Sequence, residues 1–260
     1  MQAPSLKLYS VYNKAFPLQP EAGYVVPIQG GAALQPRLPY LGDDTGDNIS
    51  VRNPLYSELS AAYWIFKNAA RDTNAWGLCH YRRYLIPLYK KYFFKPKSRR
   101  YFPTQQYVLN RLLTPQLSYH YCRLLQTHDV LVQRPTPVWR TGYKYLTIKE
   151  AYYHNHIAAH WDVMMQVVVE KYPDYARSIE AFSNGKRMWF NNIMVAPWDL
   201  WDQYLSWLFD ILFEVEQRIE LPGKGYQERV FGFMAERLHN LFIFHNKLKA
   251  AHLTLALFED

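Results

Sequence analysis

Residues Trp76–Tyr84, WGLCHYRRY, change from apolar to cationic halfway along the stretch. The first four residues, WGLC, are typical of the end of a buried strand. His80, Arg82 and Arg83 then follow with tyrosines beside them, so we expect a core strand that delivers polar and cationic groups to its carboxyl end. In open α/β sheets, ligands bind at that edge of the sheet.

Two adjacent arginines and a histidine at a strand end suit a phosphate or diphosphate ligand. An arginine is always charged, and its guanidinium can donate two hydrogen bonds to one anion. The alternative is that Arg82 and Arg83 pair with surface carboxylates, while His80 is an ordinary strand-end residue. The spacing of these residues leaves both interpretations open.

The composition is that of a folded protein with an anionic partner. Of the 260 residues, 49% are hydrophobic and 17% are aromatic, which excludes a disordered chain. The net charge of +8 favours nucleotides, nucleic acid or acidic lipids as partners. Cys79 and Cys122 lack metal-ligand spacing, so a reducing compartment is expected. Because no signal peptide and no spanning apolar run is found, the sequence predicts a soluble, cytoplasmic protein.

The amino-terminal half predicts strands that end in loops rich in glycine and polar residues. Leu6–Tyr12 and Tyr24–Ile28 are strand candidates, and the second runs into Gln29-Gly30-Gly31, where glycines let a ligand approach the backbone. The loop Leu41–Ser50, LGDDTGDNIS, could hydrogen-bond sugar hydroxyls, hold a cation or turn by bonding to its own backbone, and for any single aspartate the turn is favoured. Asn53-Pro54 then predicts the start of an amphipathic helix that leads to the WGLCHYRRY strand.

The carboxyl-terminal half is predicted to be mainly helical. Burial of Asn191 and Asn192 in the predicted strand Trp189–Val195 is costly unless both amides are hydrogen-bonded, so they serve a network or a ligand. Arg229 and Glu236 share one stripe of the final helix, where they would face a ligand or form a surface ion pair. The other predicted elements are helices over Thr104–Thr127 with a break near Pro115, Thr147–Ser183, Asp199 onward and Tyr226–Phe242, and a strand over Asp129–Gln133.

Two further patterns have competing interpretations. His156 and His160 are four residues apart on one predicted helical face, but zinc would need a further ligand, so we favour polar surface or acceptor-cleft contacts. Lys90–Arg100, KKYFFKPKSRR, is predicted to be a basic loop that is solvated by default. Its functional alternative is contact with an anionic lipid surface or a nucleic acid backbone.

A series of motifs runs along nearly the whole chain: LYSVYNK, PIQGG, GDNIS, NPLYSELSAAYWIFKN, GLCHYRRYL, WFNNIMV and YQERVFGFMAERL. In this order they resemble a bacterial family catalogued as domain of unknown function 4422. That family is associated with capsule, exopolysaccharide and lipopolysaccharide O-antigen synthesis. Its members are regarded as GT-A-type glycosyltransferases, and the activity associated with them is inverting galactofuranosyl transfer from a UDP-linked donor.

The resemblance implies an α/β fold of the GT-A type, a single Rossmann-like α/β/α sandwich with a helical carboxyl-terminal part. One glycosyltransferase domain would span residues 1–260, with a nucleotide-sugar-binding half over 1–135 and an acceptor-side half over 136–260. An inverting enzyme also needs a general base. The donor-binding residues would be Tyr12, Asn13, Gln29, Gly30, Asp44, Asn48, His80, Arg82, Arg83, Asn191, Asn192 and Arg229, and the candidate bases are Glu236, Glu228 and Asp47.

The sequence departs from the GT-A pattern at the cofactor. Many GT-A enzymes hold a divalent metal with an Asp-X-Asp motif, and this sequence has no such triplet. Either Arg82 and Arg83 neutralise the departing UDP, which we favour, or Asp44 or Asp47 holds Mn or Mg in an unusual way. No residue is therefore assigned to a metal.

The resemblance also implies two partners, a UDP-sugar donor and a lipid-linked oligosaccharide acceptor. Because the acceptor is linked to a lipid, the Lys90–Arg100 loop is predicted to contact anionic lipid peripherally at the inner face of the cytoplasmic membrane. Two other classes stay open. A nucleic-acid-binding module is disfavoured because the cations do not form one recognisable binding motif, whereas a catalytically silent sugar-nucleotide-binding protein would carry the same pocket.

Overall fold

The chain alternates strands and helices in its first half and is mainly helical in its second. The computed structural model describes residues 5–88, 97–138, 140–141 and 144–259. The strands are β1 (Leu6–Tyr12), β2 (Val25–Gln29), β3 (Leu41–Gly42), β4 (Ala75–His80), β5 (Arg83–Ile86), β6 (Arg99–Phe102), β7 (Val130–Gln133), β8 (Thr136–Pro137), β9 (Arg140–Thr141), β10 (Lys144–Tyr145), β11 (Arg187–Met188), β12 (Met194–Pro197) and β13 (Ala250–Phe258). The helices are α1 (Asn53–Tyr56), α2 (Leu59–Asn68), α3 (Gln106–Leu112), α4 (Pro115–Leu125), α5 (Ile148–Asn155), α6 (Ala158–Lys171), α7 (Ala176–Ser183), α8 (Trp198–Arg218) and α9 (Val230–His245), with 3₁₀ segments at Ser50–Arg52, Pro173–Tyr175 and Tyr226–Arg229. The predicted strand Leu6–Tyr12 and the predicted break near Pro115 are confirmed.

Four parallel strands bring their carboxyl ends to one edge of the central sheet. In β1, Val11 lies opposite Ile28 of β2 on one side and opposite His80 of β4 on the other. The short strand β3 continues the parallel pairing beyond β2. The predicted position of His80 at the carboxyl edge of the sheet is therefore confirmed, and this is the edge where α/β proteins bind ligands.

The WGLCHYRRY stretch forms two strands rather than one. Strand β4 ends at His80, the chain turns at Tyr81 and Arg82, and Arg83 begins β5. His80 and Arg83 pair across this antiparallel hairpin. The single predicted strand is therefore wrong, and the turn places the imidazole and the second guanidinium side by side.

Strands from both predicted halves of the chain build the central sheet. Strand β12 pairs with β4 and β7, and β13 pairs with β5, β6 and β7. Helices cover the two faces of this sheet: α2, α6, α8 and α9 contribute to one apolar cluster, and α3 and α4 contribute to the other. Along β1, Tyr9 and Val11 enter the first cluster while Leu8 and Tyr12 enter the second, as the alternation of side chains in a strand requires.

Gly77, in β4, lies where neighbouring side chains close over the backbone. A Cβ at this position would come within 2.7 Å of Val195 Cγ2 and 2.8 Å of Leu8 Cδ1. We expect Gly77→Ala to lower the free energy of unfolding by about 1–3 kcal/mol, as overpacking of a core does. Gly223→Ala is the control, because a Cβ there meets nothing within 4 Å. Urea unfolding followed by circular dichroism measures both variants, and equal stability would contradict the close packing at Gly77.

The helix predicted from Asn53 is interrupted after one turn. Asn53 begins α1 as expected, but α1 ends at Tyr56 and Ser57 has a φ of 53°. A residue in this region of backbone conformation cannot continue a right-handed helix. Helix α2 therefore begins afresh at Leu59, and the chain changes direction between the two helices.

The predicted buried strand Trp189–Val195 is mostly a tight turn. Asn191 and Asn192 have φ values of 73° and 49°, and β12 begins only at Met194. This left-handed conformation breaks the pleat of a strand, and asparagine adopts it more readily than most residues other than glycine. The two asparagines therefore form a turn at the start of β12 instead of lying within a strand.

Two other predictions concern histidines and a basic loop. His156 caps the carboxyl end of α5 while His160 lies in α6, so the predicted common helical face is wrong. The Nε2–H of His160 donates to the carbonyl oxygen of Glu220 at 3.2 Å, which is a packing contact. Residues 90–96 of the predicted Lys90–Arg100 loop lie outside the described residues, and its last two residues begin β6. No helix in the described part of the chain is both long and apolar enough to cross a membrane.

Candidate active site

A cleft opens along the sheet edge where β1 and β4 end. It consists of two adjoining cavities of about 540 Å³ and about 390 Å³. Among the described residues, four line both cavities: Glu58, His80, Arg83 and Arg229. These residues mark the junction, so a ligand that extends from one cavity into the other must pass them.

The smaller cavity is lined by three arginines, Arg82, Arg83 and Arg229, and by two glutamates. Asn13, which follows β1, Arg82 from the hairpin turn and Glu228 from the last 3₁₀ segment line it beside the junction residues. Burial and the neighbouring Arg82 lower the pKa of Arg83, because two positive charges repel where solvent is largely excluded. A bound anion would relieve this repulsion, so the smaller cavity suits a phosphate or diphosphate.

The turn at Asn191 fixes His80 at the junction. The Nε2–H of His80 donates to the carbonyl oxygen of Asn191 at 2.8 Å. Burial lowers the pKa of His80, with the charge of Arg83 acting in the same direction and Glu58 acting against it. The imidazole is therefore neutral at physiological pH, and its Nδ1 is an acceptor.

Glu236, on α9, is a largely buried carboxylate in the wall of the larger cavity. Its Oε1 accepts the backbone N–H of Asn191 at 2.7 Å, and its Oε2 accepts a hydrogen bond from Arg237 at 3.1 Å. Burial raises the pKa of Glu236, although Arg237 and the Asn191 N–H favour the ionised form. A carboxyl group whose pKa is raised in a cleft is suited to accept a proton from a substrate.

Aromatic side chains line much of the rest of the larger cavity, with Phe190, Tyr226 and Phe233 around His156. His156 stacks on Phe233 with ring centroids 4.2 Å apart. Burial and the nearby Arg237 lower the pKa of His156 to about 4, so this ring is also neutral at physiological pH. Aromatic groups with a polar edge can pack against a ligand and also hydrogen-bond to it.

The structure brings about half of the predicted site residues to this cleft. Those that line it are Asn13, His80, Arg82, Arg83, Asn191, Glu228, Arg229 and Glu236. Those that do not line either cavity are Tyr12, Gln29, Gly30, Asp44, Asp47, Asn48 and Asn192. Asn192 still touches the site, because it hydrogen-bonds to Glu58.

The side chains of Tyr12 and Gln29 hydrogen-bond to backbone groups within the fold. The hydroxyl of Tyr12 donates to the carbonyl oxygen of Leu18 at 3.1 Å, and the ring is fully buried. The amide of Gln29 donates to the carbonyl oxygen of Pro36 and accepts the N–H of Leu38. Neither side chain lines either cavity, and the donor contacts of both stay predictions.

A buried aspartate stabilises the glycine turn after β2 through hydrogen bonds. Asp43 accepts hydrogen bonds from the backbone N–H groups of Gly31 and Ala32 and from the hydroxyl of Ser50. Gly30 lies buried in the same turn, behind Val11 and Asn53 of the smaller cavity, and does not line either cavity itself. The aspartate-rich loop therefore shapes the backbone rather than presenting Gly30 to a ligand.

The other polar residues of the GDDTGD loop are likewise engaged away from the cleft. Asp44 pairs with Arg37, Asp47 accepts the hydroxyl of Tyr63, and Asn48 donates to the backbone of its own loop. None of these three residues lines the cleft, and their predicted roles stay predictions. Within the described residues, no three His, Cys, Asp or Glu side chains gather as ligands of one metal ion. The residues present at the cleft do not fit the Mn or Mg site that Asp44 or Asp47 would have supplied.

Glu58 is the site residue that the sequence analysis missed. It is buried at the junction of the cavities, where its Oε1 accepts a hydrogen bond from Asn192 Nδ2 at 2.7 Å. A signal for it was present, since Glu58 follows Leu55 by three residues and precedes Ala62 by four, on the apolar stripe of the predicted helix. A carboxylate on such a stripe is almost never buried without a partner.

Comparison with known proteins agrees with this architecture. The family described as "Domain of unknown function (DUF4422)" matches residues 7–247. The structure is similar to that of WbbM, a bifunctional glycosyltransferase, in its apo form, with a TM-score of 0.86 and 28% sequence identity. The match covers 98% of this chain and 46% of the WbbM chain, so this chain spans about half the length of that protein. No curated protein matches the sequence significantly.

Proposed function

The chain belongs to the DUF4422 family, and we propose that it is a glycosyltransferase. In the proposed reaction, a hexosyl group, with galactofuranose as one candidate, moves from a UDP-sugar to a lipid-linked glycan acceptor with inversion of the anomeric carbon. The observation that carries the proposal is the two-cavity cleft: Arg82 lines only the smaller cavity, Glu236 lines only the larger one, and Arg83 and Arg229 line both. The similarity to a bifunctional glycosyltransferase supports it.

The proposed fold is of the GT-A type, an α/β/α sandwich. The parallel strands β1 and β4, whose carboxyl ends line the smaller cavity, support a nucleotide-sugar-binding half over residues 1–135. The acceptor-side half over 136–260 supplies most of the lining of the larger cavity. Donor and acceptor would then meet at the junction residues.

The smaller cavity would hold the diphosphate of UDP. Negative charge grows on this group as its bond to the sugar breaks, while the sugar becomes oxocarbenium-like. Arg82, Arg83 and Arg229 would stabilise the departing charge because they are already in place before the reaction. In this proposal the arginines take the part that a divalent metal plays in many GT-A enzymes.

Glu236 would be the general base. It removes the proton from the acceptor hydroxyl as that oxygen forms its bond to the anomeric carbon. The bond between the anomeric carbon and UDP breaks, and UDP leaves with the electron pair. Because the attack and the departure occur on opposite faces, the configuration inverts. Glu228 is less suited to this role because it lines the smaller cavity, on the side of the phosphates.

The acceptor would enter the larger cavity, which is lined by aromatic rings and by Arg99. A lipid-linked glycan carries its acceptor sugar close to the membrane surface. The basic Lys90–Arg100 segment is proposed to contact anionic lipid there, on the cytoplasmic face, through the charge of its lysines and arginines. The product would be a capsule, exopolysaccharide or O-antigen glycan.

Titration calorimetry with UDP and a panel of UDP-sugars, with and without manganese, tests the donor site. Acceptor-dependent release of UDP, measured with lipid-linked oligosaccharides, tests transfer. We expect UDP to bind without manganese and one UDP-sugar to support UDP release. Failure of every uridine nucleotide to bind would overturn the proposal. Binding without transfer would indicate a sugar-nucleotide-binding protein, and salt-sensitive oligonucleotide binding alone would indicate a nucleic-acid-binding module.

A further inference from the structure

Glu58 is the only carboxylate among the four described residues that line both cavities. The other three, His80, Arg83 and Arg229, are basic side chains. If the diphosphate lies in the smaller cavity and the acceptor in the larger one, the sugar that is transferred lies at this junction. We propose that Glu58 binds hydroxyl groups of the transferred sugar and thereby selects the UDP-sugar; this inference rests on the function proposed above.

The backbone before Glu58 is strained in a way that presents its side chain to the junction. Ser57 has a φ of 53°, and such conformations persist only where other contacts hold them. Asn53 Nδ2 donates to the carbonyl oxygen of Ser57 at 2.7 Å, and Arg229 Nε donates to the Ser57 hydroxyl at 3.0 Å. The chain thus breaks a helix directly before the carboxylate that it delivers to the cleft.

The turn at Asn191 and Asn192 holds the carboxylate from the other side. Asn192 Nδ2 donates to Glu58 Oε1 at 2.7 Å and to the carbonyl oxygen of Gly232 at 3.2 Å. The same turn holds Glu236 through the Asn191 N–H and His80 through the Asn191 carbonyl. One strained turn therefore orients three polar groups of the junction at once.

This arrangement leaves one oxygen of Glu58 for a ligand. Within the described part of the chain, Glu58 Oε1 accepts from Asn192 while no described residue donates to Oε2. A carboxylate can accept hydrogen bonds but cannot donate them, and each sugar hydroxyl supplies one donor. A buried acceptor of fixed position favours the sugars whose hydroxyl points at it and rejects those that leave it unpaired.

Glu58 and Glu236 would then have separate tasks. Glu236 lines only the larger cavity, so it meets the acceptor hydroxyl. Glu58 lines both cavities, so it meets the sugar that crosses between them. The role of Glu236 affects turnover after the substrates have bound. The role of Glu58 affects binding of the sugar part of the donor.

Glu58→Gln tests the inference, because it replaces an acceptor by a donor at Oε2 and keeps the size of the side chain. Titration calorimetry would measure dissociation constants for UDP and for the preferred UDP-sugar. We expect the affinity for the UDP-sugar to fall roughly ten- to a hundred-fold, the range for a hydrogen bond to a charged group, and the affinity for UDP to stay the same. The ranking of UDP-sugars should also change. Glu180→Gln, on an exposed residue of α7, is the matched control.

Three results would count against the inference. UDP-sugar binding equal to that of the original protein would remove Glu58 from the sugar site. An equal loss of affinity for UDP and for the UDP-sugar would mean that Glu58 contacts the nucleotide or stabilises the fold. If Glu58→Gln does not fold, Glu58→Asp serves the same comparison, and unchanged discrimination in that variant would overturn the inference. Failure of the original protein to bind any uridine nucleotide would instead overturn the proposed function itself.

Discussion

Glu236→Gln is expected to lower the rate of sugar transfer by about 10²–10⁴-fold, the range for loss of a general base. The amide cannot take a proton from the acceptor hydroxyl at physiological pH. It has the same size as the carboxylate, and its oxygen can still accept the N–H of Asn191, although the hydrogen bond from Arg237 to Oε2 is lost. Calorimetry should therefore show nearly unchanged affinity for UDP and UDP-sugar. Transfer close to the original rate would remove Glu236 as the base.

The pH profile gives an independent check on Glu236. Burial raises the pKa of this carboxyl, so kcat/KM should rise with pH in a window displaced upward from the ordinary glutamate value of about 4.3. Below the window the carboxyl is protonated and cannot accept a proton, whereas above it the rate should be level. The residual activity of Glu236→Gln should lack this rise. Glu180→Gln, on the exposed face of α7, should keep both the rate and the profile.

The place of the cleft at the sheet edge was predictable because the sequence changes from apolar to polar and cationic residues where β4 ends. In WGLCHYRRY the apolar residues are followed directly by His80, Arg82 and Arg83, and all three line the cleft. Arg229 and Glu236 were also predictable, because the predicted final helix places them near the same face. In the structure Arg229 ends the 3₁₀ segment directly before α9, and both residues still line the larger cavity. Periodicity within a single element was sufficient for these residues.

The two strained turns were not predictable from periodicity. Ser57 interrupts a helix whose apolar spacing continues on both sides, and serine carries no preference for a positive φ. Its conformation is held by Asn53 and by Arg229, which is far away in sequence. Asn191 and Asn192 were recognised as buried polar residues, but their φ values depend on partners that only the folded chain supplies.

The composition of the GDDTGD loop favours a turn for any single aspartate, as Asp43 shows, but it does not exclude a ligand. A loop of aspartates and glycines has the same composition whether its carboxylates bind a ligand or bond to backbone N–H groups. Here Asp43 binds the turn after β2, and Asp47 binds Tyr63 of α2. Only the position of the loop relative to the cleft distinguishes these cases, and that position is a tertiary property.

Arg83→Met is the second variant for which we expect a large effect, a loss of roughly 10²–10³-fold in kcat, as when one donor to a developing oxyanion is removed. Arg83 lines both cavities, and burial together with Arg82 disfavours its charge, so an anion beside it is strongly stabilised. That stabilisation grows as charge develops on UDP, so kcat should fall more than KM rises. Arg177→Met, on an exposed residue of α7, is the control for loss of a positive charge.

Arg83→Lys separates charge from geometry at the same position. Lysine keeps the positive charge but lacks the planar fork that donates two hydrogen bonds to one phosphate. Its compact ammonium is also more strongly hydrated, so it is harder to hold at a largely buried position beside another cation. We therefore expect the lysine variant to lie closer to Arg83→Met than to the original protein in steady-state transfer assays. Recovery of most of the rate by lysine would mean that charge alone assists the departure of UDP, and full activity of Arg83→Met would place the diphosphate away from the hairpin.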